Sequence, residues 1–196
     1  MQVSAIPVEH RLGCLNWPDL FPYAPDVKFT ISHDGVSILL RFDVQEKAVR
    51  AVCAADRENI WDDSCVEFFF EPVAGGPYYN IECSCVGKIL MCCGEGRENR
   101  KPVSDEALKG IERRCSLGSE PLGLIEKPCS WWVELKIPVS SFCFHDLKTF
   151  EGLEGRGNFY KCGSLLPDKY FLTWAPVKTE KPDFHRPEYF DVISFV

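Results

Sequence analysis

The sequence has no apolar run that approaches the roughly 18 residues needed by a membrane-spanning helix. Its first residues, MQVSAIPVEHRLG, lack the basic start and the apolar stretch of a signal peptide. It also has no basic cluster interleaved with aromatic residues, and its formal net charge is −7. We therefore expect neither a membrane nor a nucleic acid as a partner. If the chain is full length we expect it in the cytoplasm, and otherwise in the periplasm or secreted.

Helical periodicity is scarce, whereas turn residues are frequent. The 14 Gly and 14 Pro separate short segments in which apolar and polar residues alternate, as Ile38, Leu40 and Phe42 alternate with Arg41 and Asp43. Only residues 104–114 are typical of a helix, with Ser104 as its N-cap. Strands are predicted at residues 36–44, 48–52, 64–71, 78–85, 87–93, 131–138, 157–163, 169–174 and 189–195.

Many short strands and one short helix predict an all-β fold, a jelly-roll-like antiparallel β-sandwich with one short surface helix. The 196 residues suit a single core, and no repeat or linker divides them, so we expect one domain over residues 1–196. Residues 1–26 contain the proline-rich stretch NWPDLFPYAPD, which excludes a helix. They are predicted to form an extended N-terminal arm.

The chain contains eleven cysteines, an odd number that cannot pair completely within one molecule. Five of them fall in predicted strands, where a thiol serves as a small apolar side chain: Cys65, Cys83, Cys85, Cys92 and Cys93. None of these spacings matches the C-x₂₋₄-C pattern of a structural zinc site. We therefore favour buried, reduced thiols over a zinc site, and no cysteine has the surroundings of a catalytic thiol.

A glutamate interrupts the apolar strand in the stretch WDDSCVEFFFEP. If residues 64–71 and 77–85 form a hairpin around PVAGGP, Phe68 lies opposite Ile81 and Glu67 lies opposite Glu82. Like charges that face each other destabilise a sheet. Three interpretations of the carboxylates are open: they splay apart on a wet face, they are satisfied by a ligand or cation, or they act as acid and base. Their expected separation is close to the roughly 5 Å of retaining glycosidases.

Two tryptophans accompany these carboxylates: Trp61 directly precedes the strand, and Trp174 lies in the late segment FLTWAP. An aromatic plane packs well against the C–H face of a pyranose, and carboxylate, amide and guanidinium groups bind its hydroxyls. Asn158, Lys161 and Arg97 could supply the remaining polar groups. Each tryptophan alone is equally typical of a core residue.

Four segments, in order WDDSCVEFFFEP, YYNIECSCVGKIL, GNFYKCG and YFLTWAPVKTEKPDFHRPEYFDVISF, resemble the family 9 carbohydrate-binding modules. They resemble especially the stand-alone family-9-like proteins of bacteria, and the resemblance runs from about residue 27 to the end of the chain. The resemblance implies a β-sandwich that binds sugar without cleaving it. It also implies a site in which two tryptophans clamp the sugar at the reducing end of a glycan, with xylan or cellulose as the related polymers.

Residue by residue, Trp61 and Glu67 match the first tryptophan and the carboxylate of that site, and Trp174 matches the second tryptophan. We assign Glu82 and the polar side chains Arg97, Asn158 and Lys161 to the same ligand-binding set, and no residue to catalysis. Members of the family also bind calcium, although the sequence offers no compact Asp- and Asn-rich loop for it. The related DOMON domains sometimes hold haem, but the 4 His and 2 Met show no axial-ligand pattern.

The leading hypothesis is therefore non-catalytic binding of a mono- or oligosaccharide. A glycoside-active enzyme that uses Glu67 and Glu82 is one alternative, and an interaction domain with a vestigial sugar site is the other. The segment PDFHRPEYF places His185 and Arg186 between two acidic residues. We interpret it as a salt-bridged loop that fixes the last strand, in preference to a rim of the binding site.

Overall fold

The computed structural model describes residues 1–196 and consists mainly of strands. One α-helix, α1, spans Asp105–Lys109, and single 3-10 turns occur at Ile60–Asp62, Val139–Ser141 and Pro187–Tyr189. The strands are β1 (Gln2–Val3), β2 (Val8–Arg11), β3 (Cys14–Leu15), β4 (Asp26–His33), β5 (Ser37–Glu46), β6 (Val49–Ala51), β7 (Cys65–Glu71), β8 (Tyr78–Ser84), β9 (Ile89–Gly94), β10 (Lys101–Pro102), β11 (Glu112–Cys115), β12 (Gly123–Ile125), β13 (Cys129–Pro138), β14 (Glu154–Cys162), β15 (Phe171–Thr173) and β16 (Asp191–Phe195).

Two sheets form a β-sandwich, as the alternating pattern predicts. The large sheet has nine strands in the order β1-β16-β14-β7-β8-β9-β10, with β15 paired to β14 and β3 paired to β15. The small sheet has the order β11-β13-β5-β4-β2, and β6 pairs separately with β12. All pairs are antiparallel except that of β1 with β16. The all-β prediction is confirmed. It omitted β4, β10, β11 and β12, and also β1–β3, which lie in the predicted N-terminal arm.

The main core fills the space between the sheets. It is a cluster of 36 buried apolar residues that includes Phe68 and Phe159 from the large sheet and Phe29 and Phe42 from the small sheet. The rings of Phe29 and Phe159 stack across the interface with centroids 4.1 Å apart. Aromatic burial on this scale supplies most of the driving force that holds the two sheets together.

The helix is shorter than predicted. Ser104 caps it, since its hydroxyl oxygen accepts a hydrogen bond from the backbone N–H of Ala107 at 3.1 Å. It ends at Gly110, and residues 112–114, which were expected to continue the helix, instead belong to β11 at the edge of the small sheet. Their backbone is hydrogen-bonded to the neighbouring strand β13, so it does not need the hydrogen bonds of a longer helix.

Residues 1–26 contribute three short strands and so contact both sheets. β1 pairs with β16 and β3 pairs with β15, both in the large sheet, while β2 pairs with β4 in the small sheet. All eleven cysteines are free thiols, and the five expected inside strands are buried. No helix of this structure is both long enough and apolar enough to cross a bilayer.

Candidate functional site

The hairpin of β7 and β8 has the predicted register. Phe68 pairs with Ile81, and Glu67 pairs with Glu82. Because side chains alternate along a strand, the apolar partners face the main core and the two glutamates face the opposite side of the large sheet. We call that side of the large sheet the outer face. It also carries Asn80 of β8.

The outer face is covered, so its polar groups are buried. Its cover is the C-terminal loop, residues 174–190, which packs with Trp17 to form a second cluster of eleven buried apolar residues. Phe184 of this loop stacks on Tyr160 of β14 with centroids 4.2 Å apart. The indole N–H of Trp17 donates a hydrogen bond to the carbonyl of Thr179 at 2.8 Å. These contacts hold the loop against the sheet over part of its surface.

Where the cover stops, the outer face opens into a cavity of about 550 Å³. This volume lies within the range of small-molecule sites in proteins, about 300–1,000 Å³. The lining residues combine carboxylates, guanidinium groups, an amide and aromatic rings, and they are Trp61, Glu67, Asn80, Glu82, Leu90, Cys92, Arg97, Glu98, Arg100, Cys162, Ser164, Phe171, Pro182, Phe184 and His185.

The two facing carboxylates form the floor of the cavity and are each only 3% exposed. Oε1 of Glu67 accepts a hydrogen bond from the thiol of Cys162 at 3.2 Å, and Oε1 of Glu82 accepts one from the amide of Asn80 at 2.7 Å. Oε2 of Glu82 has no hydrogen-bond partner. An unsatisfied buried acceptor is rare in native proteins and is expected where a ligand donates to it.

Burial dominates the electrostatics of this pair. It raises the pKa of Glu82 to about 7, partly offset by the hydrogen bond from Asn80 and by the charges of Arg100 and Arg97. Burial and the neighbouring Cys162 and Glu82 together raise the pKa of Glu67 well above its ordinary value. Neither carboxylate forms an ion pair, so both favour the neutral form or a partner that donates hydrogen bonds.

Basic side chains form one wall. The guanidinium of Arg100 donates to the amide oxygen of Asn80 at 2.8 Å and stacks over the ring of Tyr78, 4.2 Å from its centroid. Arg100 thereby holds Asn80, which in turn holds Glu82. Arg97 is more exposed and forms an ion pair with Asp183 at 2.5 Å. His185 lies beside them, with Nδ1 2.8 Å from the hydroxyl of Tyr78.

Trp61 provides an exposed aromatic surface at the edge of the cavity. It lies in the turn Ile60–Asp62 directly before β7, and it remains 40% exposed. The hydroxyl of Ser164 donates to the Trp61 carbonyl at 2.8 Å and so fixes the turn against the end of β14. Its ring offers an exposed aromatic plane that can pack against the apolar face of a ligand.

Four of the seven residues predicted to bind ligand come together in this cavity, namely Trp61, Glu67, Glu82 and Arg97. Trp174 does not. It packs on the main core at the other side of the large sheet, where its ring meets that of Phe159 edge to face with centroids 5.8 Å apart. A clamp made by Trp61 and Trp174 is therefore not formed in this structure.

Asn158 and Lys161 are also separated from the cavity, and both are completely buried. The side-chain amide of Asn158 donates to the carbonyl of Ala175 and accepts from its N–H, which fixes the start of the C-terminal loop. Lys161 faces the main core and forms an ion pair with Glu46 at 3.1 Å. Their side chains have structural partners and are not free to contact a ligand in the cavity.

Several cavity residues were not singled out from the sequence. Asn80 is the clearest case, because it lies two residues before Glu82 on one strand and therefore shares its face. Arg100 and Phe184 come from loops whose positions no periodic pattern specifies. His185 was interpreted as part of a salt-bridged loop. The ion pair of Arg186 with Glu188 at 2.6 Å supports that interpretation, yet His185 itself lines the cavity.

Calcium was implied by the family resemblance, and the cluster of potential ligands beside this cavity does not suit it. One group of three potential ligands, Cys65, Glu67 and Cys162, has donor atoms within 4.8 Å of one another. Two of these donors are sulfur, whereas calcium takes six to eight oxygen ligands. We therefore derive no role for calcium in this cavity.

One other depression on the surface has its central charged groups paired with one another. A groove of about 350 Å³ crosses the exposed side of the small sheet and is lined by Arg41, Glu134 and Lys136 among others. Arg41 and Glu134 are 2.7 Å apart, and Lys136 lies 3.5 Å from Asp34. This groove leaves no buried polar atom without a partner, in contrast to the cavity on the outer face.

The comparisons with known proteins agree with the β-sandwich fold. A candidate carbohydrate-binding protein from Bacteroides uniformis ATCC 8492 has 42% identity and a TM-score of 0.94, covering 97% of this chain and 87% of that one. A carbohydrate-binding module of family 9 from Caldicellulosiruptor kristjanssonii in complex with glucose has a TM-score of 0.58 at 12% identity, covering 100% and 95%.

A family 9 module of Caldicellulosiruptor kristjanssonii in complex with cellotriose has a TM-score of 0.59 at 11% identity, covering 100% of this chain and 92% of that one. At these identities the two complexes show a shared fold. No match was found among curated proteins. The sequence profile described as carbohydrate-binding family 9 matches residues 3–195, almost the full length. The chain therefore belongs to carbohydrate-binding family 9.

Proposed function

We propose that this protein binds a sugar, without cleaving it, in the cavity on the outer face of the large sheet. The observation that carries the proposal is the unpartnered Oε2 of Glu82, buried on the cavity floor below an exposed tryptophan. A sugar hydroxyl is a neutral donor that would satisfy this oxygen without requiring a charge in the cavity.

The wall and the edge of the cavity suit the rest of a pyranose ring. Trp61 offers an aromatic plane for its C–H face, and Phe171 and Phe184 add apolar surface. Arg97 offers guanidinium N–H groups to ring hydroxyls that accept hydrogen bonds. The site thus contains one acceptor-rich floor and one donor-rich wall, which matches the dual hydrogen bonding of a sugar hydroxyl.

Because the cavity has a closed floor, we infer that it takes a free mono- or disaccharide or the end of a glycan, the reducing end included. Glucose and cello-oligosaccharides are the first ligands to test, since related modules of family 9 have been crystallised with glucose and with cellotriose. The clamp proposed here combines Trp61 with the phenylalanine wall. Trp174 has no part in it.

The test is isothermal titration calorimetry with glucose, cellobiose, cellotriose and xylose. We expect binding in the millimolar to micromolar range for at least one of them. Trp61→Ala should weaken that binding about 10- to 100-fold, the equivalent of losing about 1.5–3 kcal/mol of aromatic contact. Trp132→Ala is the matched control, because Trp132 lies on the small sheet with Arg41 stacked over its ring, and it should leave the affinity unchanged.

Absence of heat with every one of these sugars would contradict the proposal, as would equal losses in Trp61→Ala and Trp132→Ala. The enzymatic alternative has its own outcome. Release of reducing sugar from a panel of glycans, lost in Glu67→Gln, would assign catalysis to the two facing carboxylates.

A further inference from the structure

Two thiols and a carboxylate meet at one end of the cavity floor. Cys65 begins β7 and pairs directly with Cys162, the last residue of β14, and Glu67 follows two positions further along β7 on the same face. All three side chains are at most 3% exposed. Their donor atoms lie within 4.8 Å of one another.

We propose that Cys65, Cys162 and Glu67 form a binding site for a thiophilic divalent metal ion of the zinc class. Two thiolates and one carboxylate are a donor set that zinc accepts, with Zn–S distances of about 2.3 Å. Tetrahedral coordination at that distance places two sulfurs about 3.8 Å apart. The present cluster needs only small side-chain movements to reach it, since its donors already lie within 4.8 Å.

A second observation points to a ligand at this place. Glu82 faces Glu67 across the hairpin, and its Oε2 is buried without a hydrogen-bond partner. It is a further oxygen donor on the same face of the hairpin, outside the three-residue cluster. Four acidic groups are thus collected on one side of the sheet with an unsatisfied oxygen among them, an arrangement that a bound cation would satisfy.

No basic side chain forms an ion pair with either glutamate. Lys161 lies on the other face of the sheet and forms an ion pair with Glu46. Arg100 bonds to the amide oxygen of Asn80, and Arg97 forms its ion pair with Asp183. In the metal-free protein the thiol of Cys162 donates to Glu67, so the group is held together by protons. Metal binding would release the two thiol protons and any proton on Glu67 to the solvent.

The site is reachable from the cavity, because Glu67 and Cys162 both line it while Cys65 lies behind them. A metal held by three side chains keeps a coordination position for Glu82, a water molecule or a ligand hydroxyl. The inference concerns metal binding alone and does not depend on the proposed sugar function.

The experiment is a titration of the reduced, metal-free protein with Co²⁺, followed by displacement with Zn²⁺. We expect one Co²⁺ per chain, with thiolate-to-cobalt charge transfer in the near ultraviolet and the intense visible bands of tetrahedral cobalt. Cys162→Ser and Cys65→Ser should each lose the charge-transfer band, and Glu67→Gln should weaken binding. Ca²⁺ should not displace the cobalt.

Nine other cysteines make controls essential. Cys92→Ser changes another cavity thiol and Cys143→Ser changes the exposed one, and both should keep the full signal. No charge-transfer band in the native protein, or a band that survives in both Cys65→Ser and Cys162→Ser, would overturn the proposal. Circular dichroism and thermal melting must show that the variants are folded, and Cys162→Ala provides a second substitution at the same site if the serine variant does not fold.

Sugar calorimetry on the same preparations, with and without a chelator, separates this inference from the proposed function. Sugar binding without a cobalt signal would leave the proposed function intact and remove the metal site. A cobalt signal without sugar binding would support the metal site and contradict the proposed function.

Discussion

Two buried glutamates in this protein, Glu46 and Glu82, have opposite surroundings. Glu46 is 4% exposed and accepts hydrogen bonds from the ammonium of Lys161 at 3.1 Å, from the indole of Trp131 at 2.6 Å and from the hydroxyl of Tyr170. Glu82 is 3% exposed and accepts one hydrogen bond, from Asn80. The same residue type at the same depth is thus fully satisfied in one place and half satisfied in the other.

The difference indicates what each carboxylate is for. The Glu46 group joins the end of β5 in the small sheet to β14 in the large sheet, so it contributes to the assembly of the sandwich. The Glu82 group contributes nothing comparable to the fold, because its free oxygen represents an uncompensated desolvation. In the proposed function, a ligand hydroxyl supplies the hydrogen bond that this oxygen lacks.

The largest effect is expected at the satisfied site. Lys161→Met leaves the Glu46 carboxylate buried without its cation, and we expect it to lower the free energy of unfolding by about 3–5 kcal/mol. Urea denaturation measures this loss. The double variant Lys161→Met with Glu46→Leu should recover much of it, and a single variant as stable as the native protein would contradict the structural role.

Trp174→Ala sharpens the contrast between the two faces of the large sheet. Trp174 is partly buried against the main core, so its removal should cost about 2 kcal/mol of stability, less than the ~3–5 kcal/mol of a fully buried tryptophan. Sugar affinity in the variant that remains folded should be unchanged. A loss of sugar affinity larger than that of Trp61→Ala would contradict this prediction and show that Trp174 contributes to the binding site.

Glu82→Gln tests the unsatisfied site directly. A hydrogen bond to a charged or strongly polar acceptor contributes about 1.5–3 kcal/mol, so we expect sugar affinity to fall about 10- to 100-fold. Stability should stay the same or rise, because a buried carboxylate is removed. Glu71→Gln is the matched control, since Glu71 lies on β7 but has Arg156 as its partner. That control should retain affinity and lose stability.

The expected effect at His185 is a change in the pH dependence of stability. Burial lowers the pKa of the His185 ring from 6.5 to about 3. The positive charges of Arg100 and Arg97 act in the same direction, and the negative charge of Asp183 opposes them. Since the folded-state pKa lies below the unfolded value, stability from the neutral ring is present above pH 6.5 and is lost as the pH falls towards about 3. The ring also faces Tyr78.

The measurement is the melting temperature of the native protein and of His185→Gln between pH 7 and pH 4. The native protein should lose more stability on acidification than the variant, with a difference of about 2–4 °C for each kcal/mol of linkage. Identical slopes for the two proteins would show that the His185 ring is not held in its neutral form by the fold.

The local part of the site could be predicted from the sequence. Glycines and prolines in PVAGGP fix the hairpin loop, with Gly75 at a φ of 75°, and the period-two pattern then allows one register for Glu67 and Glu82. The same pattern was present in β4, where Val27, Phe29 and Ile31 alternate inward, although that strand was not among those predicted.

Long-range partners were harder to infer. Lys161 is a polar residue in a strand, and its partner Glu46 lies 115 residues earlier, so nothing local indicates that the pair is internal. One local clue was available, because Asn158 and Lys161 are three residues apart and must therefore point to opposite faces of β14. Trp174 follows a strand of only three residues, too short for alternation to specify its side.

The cover of the outer face has a consequence for how the protein is made. The cavity floor comes from residues 65–82, but the Phe184 and His185 wall comes from the C-terminal loop, and β16 must pair with β1 to complete the sheet. A ribosome releases the floor more than a hundred residues before the wall. During that interval the acidic hairpin and its thiols are exposed to solvent in the nascent chain. The binding cavity is therefore among the last parts of the molecule to form.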